Sequence, residues 1–175
     1  SFSRQSQTSF TREDFGEITR GILALMERLL VKEQISLEIE IAPGLPAVRC
    51  AAPQIQQILL NLVTNARDAL NERYPEYSAN KQIRITVGPF VDETGSYVRA
   101  TVRDRGKGIA DTDREHIFEP FFTTKDPNCG TGLGLSVSHG IAREHGGRLH
   151  FESWPGAGTA FHLDLPADNE PDPVK

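Results

Sequence analysis

Apolar residues recur at Phe15, Ile18, Ile22, Leu25, Met26, Leu29 and Leu30, at steps of three, four, three, one, three and one. These steps keep them on one face of a helix and predict that the whole stripe meets a core. Residues 36–41 alternate instead, with Leu37, Ile39 and Ile41 on one side, and predict a strand. Pro43, Gly44 and Pro46 then predict a turn. A second helix opens at Pro53, since proline is tolerated in a first turn, and stops before Pro75. Its apolar face is Ile55, Ile58, Leu59, Leu62, Val63, Ala66 and Leu70.

Residues 82–90 and 97–104 alternate and are rich in β-branched side chains. They flank Asp92-Glu93-Thr94-Gly95, which predicts a hairpin. Residues 106–134 are dense in Gly, Pro and Thr and predict a long loop. A helix over 133–145 follows, stopped by Gly146-Gly147. Residues 148–154 and 159–165 predict a closing hairpin around Pro155-Gly156-Ala157-Gly158. The mixed order of helices and antiparallel strands predicts an α/β (α+β) two-layer sandwich, with helices on one face of a mixed, mostly antiparallel sheet. Residues 1–11 are polar and read as a linker, 12–166 as the domain, and 167–175 as an acidic, Pro-rich disordered tail.

The length of 175 residues fits one domain with a sizeable core. A net charge of −5 argues against nucleic acid as a partner. Cys50 and Cys129 share no metal-ligand spacing and read as reduced thiols of a cytosolic domain. No apolar run is long enough to span a membrane, so no direct membrane contact is expected, although a full-length protein could carry spans upstream. Composition therefore leaves the chemistry to individual motifs.

Asn61 and Asn65 are four apart on the second helix and project from one face beside apolar neighbours. Taken alone they are as well explained as locally bonded surface residues as by a ligand site, although an amide oxygen suits Mg²⁺. Asp104-Arg-Gly106-Lys-Gly108 directly follows a strand. A carboxylate there could accept a hydrogen bond from the exocyclic amino group of adenine, and alone the motif equally describes a strand-to-loop turn. Gly130-Thr131-Gly132-Leu133-Gly134-Leu135 precedes a helix, where backbone N–H groups and the helix dipole can hold phosphate. Its spacing is neither the dinucleotide fingerprint nor the Walker pattern. Phe118-Glu-Pro-Phe-Phe122-Thr-Thr124-Lys125, followed by a Gly-bounded loop, reads as a hinge and a mobile lid, with Phe118 and Phe121 as its hydrophobic plug and Lys125 placed for a terminal phosphate.

In this order the motifs resemble the N box, first glycine box, F box and second glycine box of the gyrase, heat-shock chaperone, histidine kinase and mismatch-repair ATPase superfamily. Gly156-Ala-Gly158-Thr159 resembles a third glycine signature, and the likeness covers roughly residues 15–166. The F box and short lid look most like a histidine kinase, and Asn65-Ala-Arg-Asp-Ala69 like the nitrogen-regulator or dicarboxylate-sensor type. Gyrase and mismatch-repair ATPases place a water-activating glutamate where Asn61 stands, and an amide cannot act as a general base. Many histidine kinases place a lysine where Asp68 stands, so that phosphate contact is not carried over.

The resemblance implies ATP and Mg²⁺ as ligands, with Asn65 on the metal and Asn61 supporting the metal and phosphate shell. It implies that Asp104 reads adenine beside Thr159, with Gly106, Gly108 and Ile109 shaping that pocket. Gly130, Thr131, Gly132, Leu133 and Gly134 would meet the phosphates, and Thr124 and Lys125 the terminal one. The implied partners are a dimerisation and phosphoacceptor hairpin upstream of Ser1 and a response-regulator receiver domain. None of His116, His139, His145, His150 and His162 has phosphoacceptor context, so this stretch alone is expected not to phosphorylate itself and to be a monomer or weak dimer. A serine kinase of the anti-sigma-factor branch and a non-catalytic nucleotide-binding module share the fold and stand as alternatives.

Overall fold

The computed structural model describes residues 8–125, 132, 134–171 and 174. Helix α1 (Phe15–Lys32) starts where the Asp14 carboxylate accepts from the Glu17 N–H at 3.2 Å. Phe15, Ile18, Ile22, Met26 and Leu30 are buried, whereas Leu25 is 63% and Leu29 37% exposed. The core-facing stripe is therefore narrower than the apolar pattern predicts. Leu25 and Leu29 each precede a buried residue by one position, which is about 100° around the helix and off the single flank that α1 buries.

Strand β1 (Thr11–Glu13) precedes α1, and β2 (Ser36–Ile41) and β3 (Ala47–Cys50) follow it. Helix α2 (Ala52–Arg73) has Pro53 in its first turn and buries the predicted face from Ile55 to Leu70. Strands β4 (Gln82–Asp92) and β5 (Gly95–Asp104) form the predicted hairpin. Its two-residue turn is fixed by the Thr94 N–H and hydroxyl donating to Asp92 Oδ1 at 2.9 and 2.6 Å. Helix α3 (Gly134–Glu144) leads into β6 (Arg148–Trp154) and β7 (Gly158–Asp168). The sheet runs β1-β3-β7-β5-β4-β2, with β6 also on β7; among the described residues only β2 and β4 pair in parallel. The three helices and the apolar sheet positions share one core.

Two boundaries differ from the sequence reading. Thr11 pairs with Cys50, and Ala167 and Asp168 pair with β3 rather than opening a tail. Both segments are ordered by partners remote in the chain, which local composition does not register. Cys50 is fully buried, and burial, with the Glu13 charge, pushes its thiol up to about 11, which makes it inert. Among the described residues no helix is long and apolar enough to cross a membrane.

His145 closes α3 onto α2. Its Nε2 accepts from the Ala51 N–H at 3.1 Å, and its Nδ1 lies 2.8 Å from the Ile141 carbonyl. Ala51 is the N-cap of α2 and offers no side-chain cap, so the imidazole takes that role. Both bonds are made by the ring that carries its proton on Nδ1. We expect His145→Ala to lower unfolding stability by about 1–3 kcal/mol, because the buried Ala51 N–H loses its partner, while the Ile141 carbonyl keeps the backbone N–H of residue 145. Urea unfolding with an unchanged slope checks this.

The sheet face away from the helices carries a polar network. Asp164 is fully buried there, accepting from Arg99 Nε (2.6 Å) and Nη2 (3.0 Å) and Arg148 Nε (2.7 Å), with His150 Nε2 at 3.1 Å. Burial alone would push the Asp164 carboxyl up, but the bonds from His150, Arg99 and Arg148 outweigh it and hold the group well below the usual range.

Candidate functional site

On β5, Val98, Ala100 and Val102 face the helices, and Asp104 is next in that row. Strand alternation thus delivers a carboxylate into an apolar layer. Asp104 is 5% exposed, and its Oδ1 accepts from the Gly106 N–H at 2.7 Å. Burial raises its pKa to about 6, against the pull of the Gly106 and Thr159 N–H groups.

The loop after β5 threads a gap that admits no side chain at two positions. A Cβ on Gly106 would lie 2.7 Å from the Ala69 Cβ on α2. A Cβ on Gly108, where φ is +76°, would lie 2.4 Å from the Trp154 carbonyl oxygen. Ile109 follows, its N–H bound to Ser153 Oγ at 2.8 Å, and Ser153 Oγ lies 2.8 Å from the Thr159 hydroxyl. These contacts fix the floor around Asp104.

Helix α2 forms the opposite wall. Asn61 donates from Nδ2 to the Gly134 carbonyl (3.2 Å) and Ser138 Oγ (3.0 Å), which ties α2 to the start of α3. Eight residues later Ala69 meets Gly106, so the two glycine segments are separated by about 12 Å of helix. Between them lies a cavity of about 750 Å³. Asn65 and Asp68 face it from α2, and Lys125 Nζ donates to Asn65 Oδ1 at 3.3 Å and to an Asp68 carboxylate oxygen.

Asn61, Asn65, Asp104, Gly108, Ile109, Thr124, Lys125, Gly132, Gly134 and Thr159 all line this one cavity. Gly106 stands behind Asp104 and shapes it. Gly130, Thr131 and Leu133, and with them Cys129 and most of the predicted lid, lie outside the described residues. Asp68, Asp113, Phe122, Pro155 and Phe161 also line the cavity and were not predicted as ligands. Asp68 was within reach of the spacing argument, being three residues from Asn65 on the same helix face.

The aromatic plug is corrected in one member. Phe118 stacks on His139 with ring centres 4.7 Å apart, and Phe122 packs against the core. Phe121 is instead 75% exposed. Its φ is +66°, a conformation that β and αR residues avoid, and its N–H is bound to the Gly132 carbonyl at 2.9 Å. That turn sends Phe121 outward and Phe122 inward.

The residues present fit Mg²⁺. A cationic group already rests on the Asn65 amide oxygen, beside the Asp68 carboxylate, so the local donors are hard oxygens. Among the described residues no cluster of three or more His, Cys, Asp or Glu side chains could cage a metal. Few protein ligands, with phosphates and waters completing the shell, is how Mg²⁺ is usually held.

Residues 50–169 match the family model described as histidine kinase-, DNA gyrase B- and HSP90-like ATPase. The chain belongs to that family. Within the family its relatives are sensor histidine kinases. Sensor kinase CckA of Brucella abortus (strain 2308) is 35% identical over 174 residues, covering 94% of this chain and 18% of that protein. Sensor histidine kinase ZraS of Escherichia coli (strain K12) is 34% identical over 155 residues, covering 89% and 30%. The solved catalytic domain of histidine kinase ThkA superposes with a TM-score of 0.74 at 32% identity, covering 91% of this chain and 96% of that one. Full-length ShkA, solved in complex with AMPPNP, gives a TM-score of 0.76 at 25% identity, covering 96% and 33%. The chain spans from 17% to 34% of the length of CckA, ZraS and other curated relatives. This ATPase-family domain therefore corresponds to the catalytic domain of a histidine kinase, and the family implies that it binds ATP.

Proposed function

We propose that this domain binds Mg²⁺–ATP and directs the γ-phosphoryl group to a histidine on a separate helical hairpin of a two-component sensor kinase, whose phosphoryl group then passes to a response-regulator receiver domain. The observation that carries the reading is a single cavity with a buried adenine-type acceptor, Asp104, beside one glycine segment and Asn65 and Lys125 toward the other. Asp104 accepts from the adenine amino group, Thr159 and Ile109 wall the base, and Gly132 and Gly134 border the phosphates. Asn65 would hold the Mg²⁺, which supplies neutralisation of phosphate charge. Lys125, once off Asn65, is the cation for the terminal phosphate. Asn61 positions α3 through its amide nitrogen and has no basic lone pair with which to activate water. That favours transfer to a protein acceptor over hydrolysis, and phosphoryl transfer chiefly needs positioning and charge neutralisation.

Calorimetric titration with ATP in Mg²⁺ tests the reading. We expect wild type to bind and Asn65→Ala to bind about tenfold more weakly in Mg²⁺, in line with the loss of one metal-site interaction. A wild-type domain that binds no adenine nucleotide would refute it. Phosphorylation of a hairpin supplied in trans would establish the transfer step.

A further inference from the structure

Asp68 shares Lys125 with the metal-type ligand Asn65 and has Arg67 on its other side. It sits on α2 three residues past Asn65. Its Oδ1 lies 3.6 Å from Arg67 Nη1, and Arg67 is held by both carboxylate oxygens of Glu33. Glu33 is the C-cap of α1 and also accepts from Asn71 Nδ2 at 3.0 Å. Arg67 is therefore held between two helices beside the Asp68 carboxylate, whereas the other partner of Asp68, Lys125, reaches it on a four-carbon stem from a loop.

The arrangement sets up a competition. Lys125 Nζ rests on Asn65 Oδ1 and Asp68 together, so the oxygen suited to a divalent cation is covered by an ammonium group. For Lys125 to serve a phosphate, it must leave Asp68. Asp68 then keeps only Arg67 nearby, a cation already bound by Glu33, so its negative charge is poorly compensated beside a cavity that receives a polyanion. Like charges juxtaposed in a partly desolvated site discriminate strongly against the species that leaves them uncompensated. A triphosphate that arrives with a divalent cation brings its own compensation; a metal-free triphosphate does not.

We propose that Asp68 is a specificity-determining residue that makes nucleotide binding depend on the divalent metal. It holds Lys125 over Asn65 in the free domain and disfavours metal-free triphosphate. This rests on the nucleotide reading of the cavity. Asp68 touches Lys125 and acts on the ligand through charge, so its role is distinct from that of the phosphate-binding groups.

The test is the ratio of ATP affinities with excess Mg²⁺ and with EDTA, measured by calorimetry on wild type, Asp68→Asn and Asp68→Ser. Removing the carboxylate should tighten metal-free ATP about tenfold and change Mg²⁺–ATP less than threefold, so the ratio shrinks. The gain should fade in high salt, where the repulsion is screened. Two variants guard against one that disturbs Arg67, and thermal melts report their folding. A ratio equal to wild type in a folded variant overturns the role of Asp68 while leaving the nucleotide site intact. No binding by wild type under either condition overturns both.

Discussion

ATP affinity should fall about 100-fold when Asp104 is replaced by alanine. A hydrogen bond to a charged acceptor contributes about 1.5–3 kcal/mol, and each 1.4 kcal/mol is roughly tenfold in affinity. GTP should compete poorly even in wild type, because guanine presents a carbonyl oxygen where adenine presents an amino group, and two acceptors would face each other. The same carboxylate predicts a pH dependence. Burial places its pKa at about 6, so it is largely ionised at pH 7.5 and largely protonated at pH 5. The protonated form cannot accept in the same way, and ATP affinity should therefore drop as pH falls through about 6. Fold stability runs the other way for this group. An acid raised above its unfolded value penalises the folded state as pH rises toward and through about 6, so adenine binding stabilises a form the fold alone disfavours. Titrations from pH 5 to 8 with wild type and Asp104→Ala decide it; a flat wild-type profile would exclude Asp104 as the base acceptor.

The second large effect is on stability and lies on the opposite sheet face. Asp164→Ala should lower the unfolding free energy by about 3–5 kcal/mol, because Arg99 and Arg148 lose the buried carboxylate they share. Asp164→Asn preserves volume but not charge and should fall between the two. The carboxyl is held well below its usual range, so its contribution is fully present above about pH 4, where the unfolded group is ionised, and fades only in stronger acid. Chemical denaturation at pH 7 reads the difference. A loss under about 1 kcal/mol would mean that the network is replaceable by water. The adenine affinity of the folded variant should stay at the wild-type value, since Asp164 and Asp104 face opposite sides of the sheet.

The elements that were legible are those whose signal is local. The β4–β5 hairpin shows itself through alternation and Asp92-Glu93-Thr94-Gly95, and α2 through seven apolar positions that are all buried. Asp104 was legible because it extends an alternating row and is followed by two glycines. Strands β1 and β3, of three and four residues, were not, since each exists only through pairing with Cys50 or Asp168 far along the chain. Phe121 and Phe122 are chemically identical neighbours; the backbone turn at Phe121 decides which one is inside. Asp68 was set aside because it departs from the lysine of many related kinases, and its meaning emerges only once Lys125 is seen upon it.

The edge formed by β1, β3 and the end of β7 also has a mechanical meaning. Arg12 Nη2 donates to the Glu170 carbonyl at 2.5 Å, so the strand entering the domain and the strand leaving it are stitched together beside β3. A pull applied between residues near 11 and near 168 would load these short strand pairings first. The long β4–β5–β7 pairings and the cavity would be loaded only after that clasp opened.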